Sequence, residues 1–229
     1  MIALFAAQAL PAQTTDSITV TATRTETKLA DTPASVVVLS GKDLDNAAAP
    51  TVDDALRQVA GFTLFRRTGS RVANPTAQGV SLRGVGASGA SRALVLDDGI
   101  PLNDPFGGWV YWGRVPRAAL SRVEVLRGGA SDLYGSAAMS GVIQFIRRED
   151  ADVRVDASAG SQETATTSFF AAARNVSVAG DLFTTGGYIL VQPSQRGVVD
   201  TNADSRHASV DATLRTARAF LRASYYRDE

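Results

Sequence analysis

From Asp152 onward the sequence alternates between apolar and polar side chains, and a period of two confines a chain to extended strands. In Asp152-Val-Arg-Val-Asp-Ala-Ser-Ala159, residues Val153, Val155, Ala157 and Ala159 share one face and polar residues the other. Ala208, Val210, Ala212 and Leu214 alternate in the same way with Ser209, Asp211, Thr213 and Arg215. Segments near 164–175, 183–192 and 219–227 repeat the pattern less cleanly. That makes about five strands, each close to the roughly 9–11 residues with which a tilted strand crosses a bilayer. The period alone does not tell water from lipid: a soluble antiparallel meander with one wet face alternates too. Five strands do not close into a barrel, and hydrocarbon does not tolerate an open sheet edge. The membrane reading therefore expects an incomplete barrel and a chain that is a fragment.

Residues 34–149 have a different texture. A strand is expected at Ala34–Leu39. Ser40 precedes Asp43 by three positions, and Thr51 precedes Asp54 in the same way, two helix-start signals. The second opens a helix over Val52–Val59 that Gly61 ends, with Val52, Ala55, Leu56 and Val59 spaced for one buried face. Short strands follow near Phe62–Arg66, Ser81–Arg83, Ala93–Leu96, Arg122–Leu126 and Val142–Arg147. Pro116 suits a helical first turn over 116–120. The expected fold is a mixed α/β domain followed by antiparallel β-strands of an incomplete transmembrane β-barrel.

The residue inventory excludes several functions. The 229 residues carry 23 basic and 23 acidic side chains, a balance that leaves no basic footprint for nucleic acid. There is no cysteine and one histidine, His207, so thiolate chemistry, zinc sites and histidine catalysis lack their parts. Asp97 and Asp98 are adjacent in a strand and point to opposite faces, which does not suit paired-carboxylate hydrolysis. No enzyme activity, metal or cofactor is expected. At the N-terminus, residues 1–12 are apolar and rich in small side chains, and Ala7-Gln-Ala9 fits a signal-peptidase site, so they are read as the remnant of an export signal. Residues 13–33 read as an exposed segment with one β-prone patch, Ser17-Ile-Thr-Val-Thr21.

Several motifs occur in a fixed order. They are Asp16-Ser-Ile-Thr-Val-Thr-Ala22, Thr51–Phe62, Ser81-Leu-Arg-Gly84, Ala93-Leu-Val-Leu-Asp-Asp-Gly-Ile-Pro-Leu-Asn103 and Val123-Glu-Val-Leu-Arg-Gly128. The last continues through Ser131-Asp-Leu-Tyr-Gly135 to Gly141-Val-Ile143. Together they resemble the plug domain of TonB-dependent outer-membrane receptors. The likeness is strong over about 16–149 and weak over 150–229, and Gln144 stands where the family usually has asparagine.

The resemblance implies a plug domain at 34–149, the first barrel strands at 150–229, and energised uptake of a scarce ligand across the bacterial outer membrane. The ligand would be siderophore-, cobalamin-, haem- or glycan-like, a small molecule or metal chelate. It implies that Asp16, Ser17, Ile18, Thr19 and Val20 form the TonB box, a free extended segment that adds to a partner's sheet edge. It implies that Arg83 and Arg127 lock the plug by pairing with barrel acids beyond Glu229. Two glycine-bearing loops, 67–75 and 103–114, match the family's binding-cavity floor, which makes Arg71, Asn74, Trp109, Tyr111 and Trp112 candidate ligand contacts. The alternative is a secreted β-rich binding or adhesion protein whose residues 150–229 close a soluble core.

Overall fold

The computed structural model describes residues 18–229 except 20, 22, 48, 67, 68, 87, 88, 190 and 199–201. In chain order the elements are β1 (Ile18–Thr19), β2 (Thr27–Lys28), β3 (Ser35–Ser40), α1 (Gly41–Asn46), α2 (Val52–Leu56), β4 (Phe62–Leu64) and β5 (Val80–Leu82). Then come β6 (Leu94–Asp97), β7 (Ile100–Pro101), β8 (Leu120–Arg127), α3 (Ser131–Tyr134) and β9 (Gly141–Arg147). The long strands β10 (Val153–Gly160), β11 (Thr164–Ala173), β12 (Val176–Thr185), β13 (Ser205–Arg215) and β14 (Phe220–Asp228) finish the chain.

The first sheet has the order β3-β8-β9-β6-β7, in which β6 runs parallel to β9 and the other neighbours are antiparallel. Its helices begin where the sequence signals them. At α1 the Ser40 hydroxyl accepts the Asp43 N–H at 3.2 Å while the Asp43 carboxylate accepts the Ser40 N–H at 2.8 Å, a reciprocal capping box. Helix α2 is shorter than expected, but Val52, Ala55, Leu56 and Val59 are all buried as their spacing predicts. The expected helix at 116–120 is a single 3-10 turn, Arg117–Ala119, after which β8 begins. Between β6 and β7, Asp98 and Gly99 both take positive φ, +48° and +83°, the backbone of a tight two-residue hairpin turn. The core lies between this sheet and α1, α2, β4 and β5. Trp112 sits at its centre, edge-on to Phe62 and Phe145 at ring separations of 6.3 and 6.4 Å.

Strands β10 to β14 form an antiparallel meander in chain order. One expectation is displaced: the third strand covers Val176–Thr185, not 183–192. Gly180 and Asp181, just before the expected segment, lie mid-strand. Gly180 leaves room for the Phe169 ring, which a Cβ there would meet at 2.5 Å, and Asp181 turns inward.

The faces of this meander are reversed relative to a soluble sheet. On β13, Ser209, Asp211 and Thr213 are 2%, 4% and 5% exposed, while Val210 and Leu214 are 38% and 48% exposed. Val153, Val155, Val176, Val178, Leu182, Leu221 and Tyr225 continue the outward apolar face. The polar face is the one that wraps the first domain, joined there by a small apolar contact of Phe170 and Ala179 with Ala118 and Ala119.

Candidate functional site

Side chains with functional prospects gather along the seam between the plug-like domain and the meander, and at the start of the described chain. At the end of β9, Arg147 is buried against both modules. Its Nε and Nη2 meet the two oxygens of Asp97 at 2.8 and 2.7 Å, and its Nη1 meets Asp211 on β13 at 2.6 Å. From β14, Arg222 reaches Asp97 at 3.0 Å and Asp98 at 2.6 Å, and Arg215 on β13 reaches Asp98 at 3.2 Å. Three arginines and three aspartates thus bind the hairpin turn and the exit strand of the first domain to two strands of the second. Burial pulls Arg147 down, but the Asp97 and Asp211 carboxylates more than reverse it, so the guanidinium stays charged. Sequence reading placed Asp97 and Asp98 next to each other in a strand and Asp211 and Arg215 on the polar face of another, but had no means of bringing them together.

The expected lock pair lies elsewhere. Arg83 is exposed, at φ +54°, just past β5. Arg127 bonds the carbonyl of Ala60 at 3.3 Å and the Ser35 hydroxyl at 2.8 Å. Arg83 reaches Gly128, the residue after Arg127, and among the described residues neither arginine makes an ion pair.

Of the candidate ligand contacts, three are committed to other partners. Arg71 donates to Thr166 Oγ1 at 2.8 Å, lies 3.8 Å from Asp181 and stacks over Phe183 at 4.5 Å, while its carbonyl accepts from Ser205 Oγ at 2.6 Å. It therefore pins its loop to the barrel-like wall. Tyr111 packs against Tyr226 of β14 at 5.9 Å, with Arg114 over both rings. Trp112 is 3% exposed and belongs to the core. Asn74 is exposed, its side-chain oxygen accepting from the N–H and hydroxyl of Thr76. Trp109 is half-buried, its ring folded over Gly107. The aromatic presented to solvent is Phe106, 97% exposed at the tip of a turn whose N–H groups bond Asp104 Oδ1. It lay inside a loop already singled out, but an apolar residue there gives no sign of which way it faces. The loop that carries Arg71 and Asn74 is anchored from behind. Asp53 on α2, fully buried, bonds Arg66 and Ser70 at 2.6 Å each. Burial pushes its carboxyl up against the pull of Arg66 and Ser70.

Of the candidate TonB box, Asp16, Ser17 and Val20 lie outside the described residues. Ile18 and Thr19 are not a free segment. They form β1, paired with Thr27 and Lys28, and Thr19 is fully buried with its hydroxyl on Glu124. Among the described residues no cluster of histidines and acids has the makings of a metal site.

The profile of the TonB-dependent Receptor Plug Domain matches residues 28–142. Over 189 residues the chain is 31% identical to the vitamin B12 transporter BtuB of Vibrio vulnificus, an alignment covering 79% of this chain and 30% of that protein. It is 37% identical over 139 residues to a hemin receptor of Yersinia pestis, covering 61% of this chain and 19% of the relative. The chain thus spans less than a third of these relatives' length. Among solved structures, the ferric yersiniabactin uptake receptor FyuA of Yersinia pestis superposes with a TM-score of 0.58 at 20% identity, over 83% of this chain and 31% of that one. The ferric enterobactin receptor PfeA of Pseudomonas aeruginosa gives 0.60 at 19% identity, over 93% and 34%. At these identities the structures speak for the fold: a plug sheet followed by barrel strands. The matched profile covers half of the sequence, and with it this chain belongs to the TonB-dependent receptor family.

Proposed function

We propose that the receptor to which this chain belongs takes up a scarce ligand across the bacterial outer membrane, with the plug closing the barrel and energy delivered through TonB. The observation that carries this reading is the reversed meander. Its apolar face is offered outward and its polar face is packed on the plug, the arrangement lipid demands of a barrel wall and water penalises. Residues 1–12 serve export, and residues 16–20 form the segment that TonB engages. Arg83 and Arg127, which have no carboxylate partner among the described residues, take acidic partners from barrel strands not included in this chain.

In this reading the ligand settles on the outer side, where Phe106, Trp109 and Asn74 lie on plug loops. A pull on the N-terminal segment then deforms the plug and opens a path. The seam is suited to such movement. It holds few apolar contacts and a cavity of about 440 Å³ lined by Arg71, Arg117, Asp156 and Asp181 together with Ala49 and Pro50. No bond is made or broken, so recognition and gating are the whole chemistry.

Cobalamin, haem, ferric siderophores and glycans are the ligand classes to try, the first two because relatives carry those names. The test is accumulation of labelled members of each class by cells expressing the full-length receptor, with and without TonB. TonB-dependent accumulation of one class is expected. Accumulation that ignores TonB, or a receptor absent from the outer-membrane fraction, would overturn the proposal.

A further inference from the structure

The segment that precedes the plug sheet is laid across β8, and its docking converges on one carboxylate. Glu124 lies in the middle of β8 with its side chain wholly buried. Its Oε2 accepts three hydrogen bonds from the segment: Thr19 Oγ1 at 2.8 Å, the Thr21 N–H at 2.8 Å and Thr21 Oγ1 at 2.7 Å. Its Oε1 accepts from Arg122 Nε at 2.9 Å. Thr19 and Thr21 are themselves fully buried. A second tie lies beside the first. Tyr134 donates its hydroxyl to the Thr21 carbonyl at 2.9 Å, and Arg24 covers the Tyr134 ring at 5.0 Å.

Among the described residues the segment's regular pairing is with β2 alone, Ile18 with Lys28 and Thr19 with Thr27, and a two-stranded pairing is marginal in water. The carboxylate is different. Hydrogen bonds to an ionised acceptor are stronger than neutral ones, and a buried charge that loses its donors is costly. Docked, Glu124 is satisfied. Undocked, it loses these three donors, while Arg122, which stays on the same strand, keeps part of the charge compensated. Both states are therefore accessible, and the exchange turns on a few bonds to one side chain.

We propose that Glu124 is a releasable pin: its carboxylate holds Thr19 and Thr21 on the plug sheet and withholds the adjoining segment from its periplasmic partner until those bonds break. The proposal rests on reading residues 16–20 as the TonB-engaging segment, and the experiment separates the two. In the full-length receptor, Glu124→Gln keeps the shape and removes the charge. A double change, Thr19→Val with Thr21→Val, removes both hydroxyl donors and leaves Glu124 in place. Amide hydrogen exchange is read over the peptide spanning 18–24 and over β8 and β9, and binding of the isolated periplasmic domain of TonB is measured alongside.

Exchange over 18–24 should quicken about tenfold or more in both proteins, the size expected for losing charge-assisted bonds, with β8 and β9 still protected. TonB-domain binding to the Glu124→Gln receptor should strengthen in step. If β8 and β9 also lose protection in that receptor, the double threonine variant decides. Unchanged exchange over 18–24 in a receptor whose sheet is intact overturns the pin. Faster exchange without any gain in TonB binding upholds the pin and overturns the assignment of 16–20.

Discussion

Glu124 shows how one residue can decide the state of a segment. Burial raises its carboxyl, but the bonds from Thr21, Arg122 and Thr19 outweigh burial, and the group is held below its ordinary value of 4.5. A depressed carboxyl contributes stability that is complete above the ordinary value and is lost as the pH falls through the folded one. The protection of residues 18–24 against exchange should therefore be constant at neutral pH and decline only at pH values below 4.5. A decline starting near pH 6 would assign the docking to another group. Phe106 makes the other residue-scale prediction. Replacing it with alanine removes an aromatic that touches little of the fold, so folding should stay intact while ligand affinity falls by about 1–3 kcal/mol, the range of a recognition anchor, measured by equilibrium binding. Trp112, by contrast, is a core residue whose truncation should cost about 3–5 kcal/mol of stability. Sequence reading put Trp112 among the candidate ligand contacts and left Phe106 out, whereas the structure buries the first and exposes the second. Capping pairs such as Ser40 and Asp43 are local and legible, whereas the direction an aromatic faces on an irregular loop is set by what packs behind it.

Elements are joined by charge in this molecule. The network of Arg147, Asp97 and Asp98 with Asp211, Arg215 and Arg222 ties the hairpin turn and the exit strand β9 to β13 and β14. Removing one member strands buried partners. Arg147→Ala should loosen the contact by about 3–5 kcal/mol, and a double-mutant cycle with Asp211→Ala should give a coupling well above 1 kcal/mol, read from exchange protection of β9 and β13. Additive effects would show that the two groups act independently. The order of elements was largely readable. The strands of the first sheet fell within a few residues of their expected places because their apolar runs end at turn residues. The meander strand β12 was misplaced because Gly180 and Asp181 serve tertiary needs, a ring contact and an inward charge, that mimic a turn in sequence. The clamp itself was invisible for the same reason: its members are far apart in sequence, and only the docking of two sheets makes them neighbours.

For the molecule as a whole, the alternation of residues 150–229 announced strands but not their solvent. What resolves the choice is which face meets the plug, and that is a property of two modules together. The outward residues then carry a specific cost. Arginine in place of Val210, midway along β13 on the apolar face, should destabilise the receptor in its membrane by about 2–4 kcal/mol, while the same change at a strand end should cost about 1 kcal/mol or less. The most direct measurement uses the absence of cysteine from this sequence. Single cysteines placed in turn at 208 through 214 of β13 in the full-length receptor, spin-labelled in native outer membranes, report contact with lipid through oxygen and contact with water through a polar relaxation agent. The account predicts a strict alternation, with 208, 210, 212 and 214 in lipid and 209, 211 and 213 shielded from it by the plug. Water at the even positions would contradict it and return the chain to a soluble β-sheet.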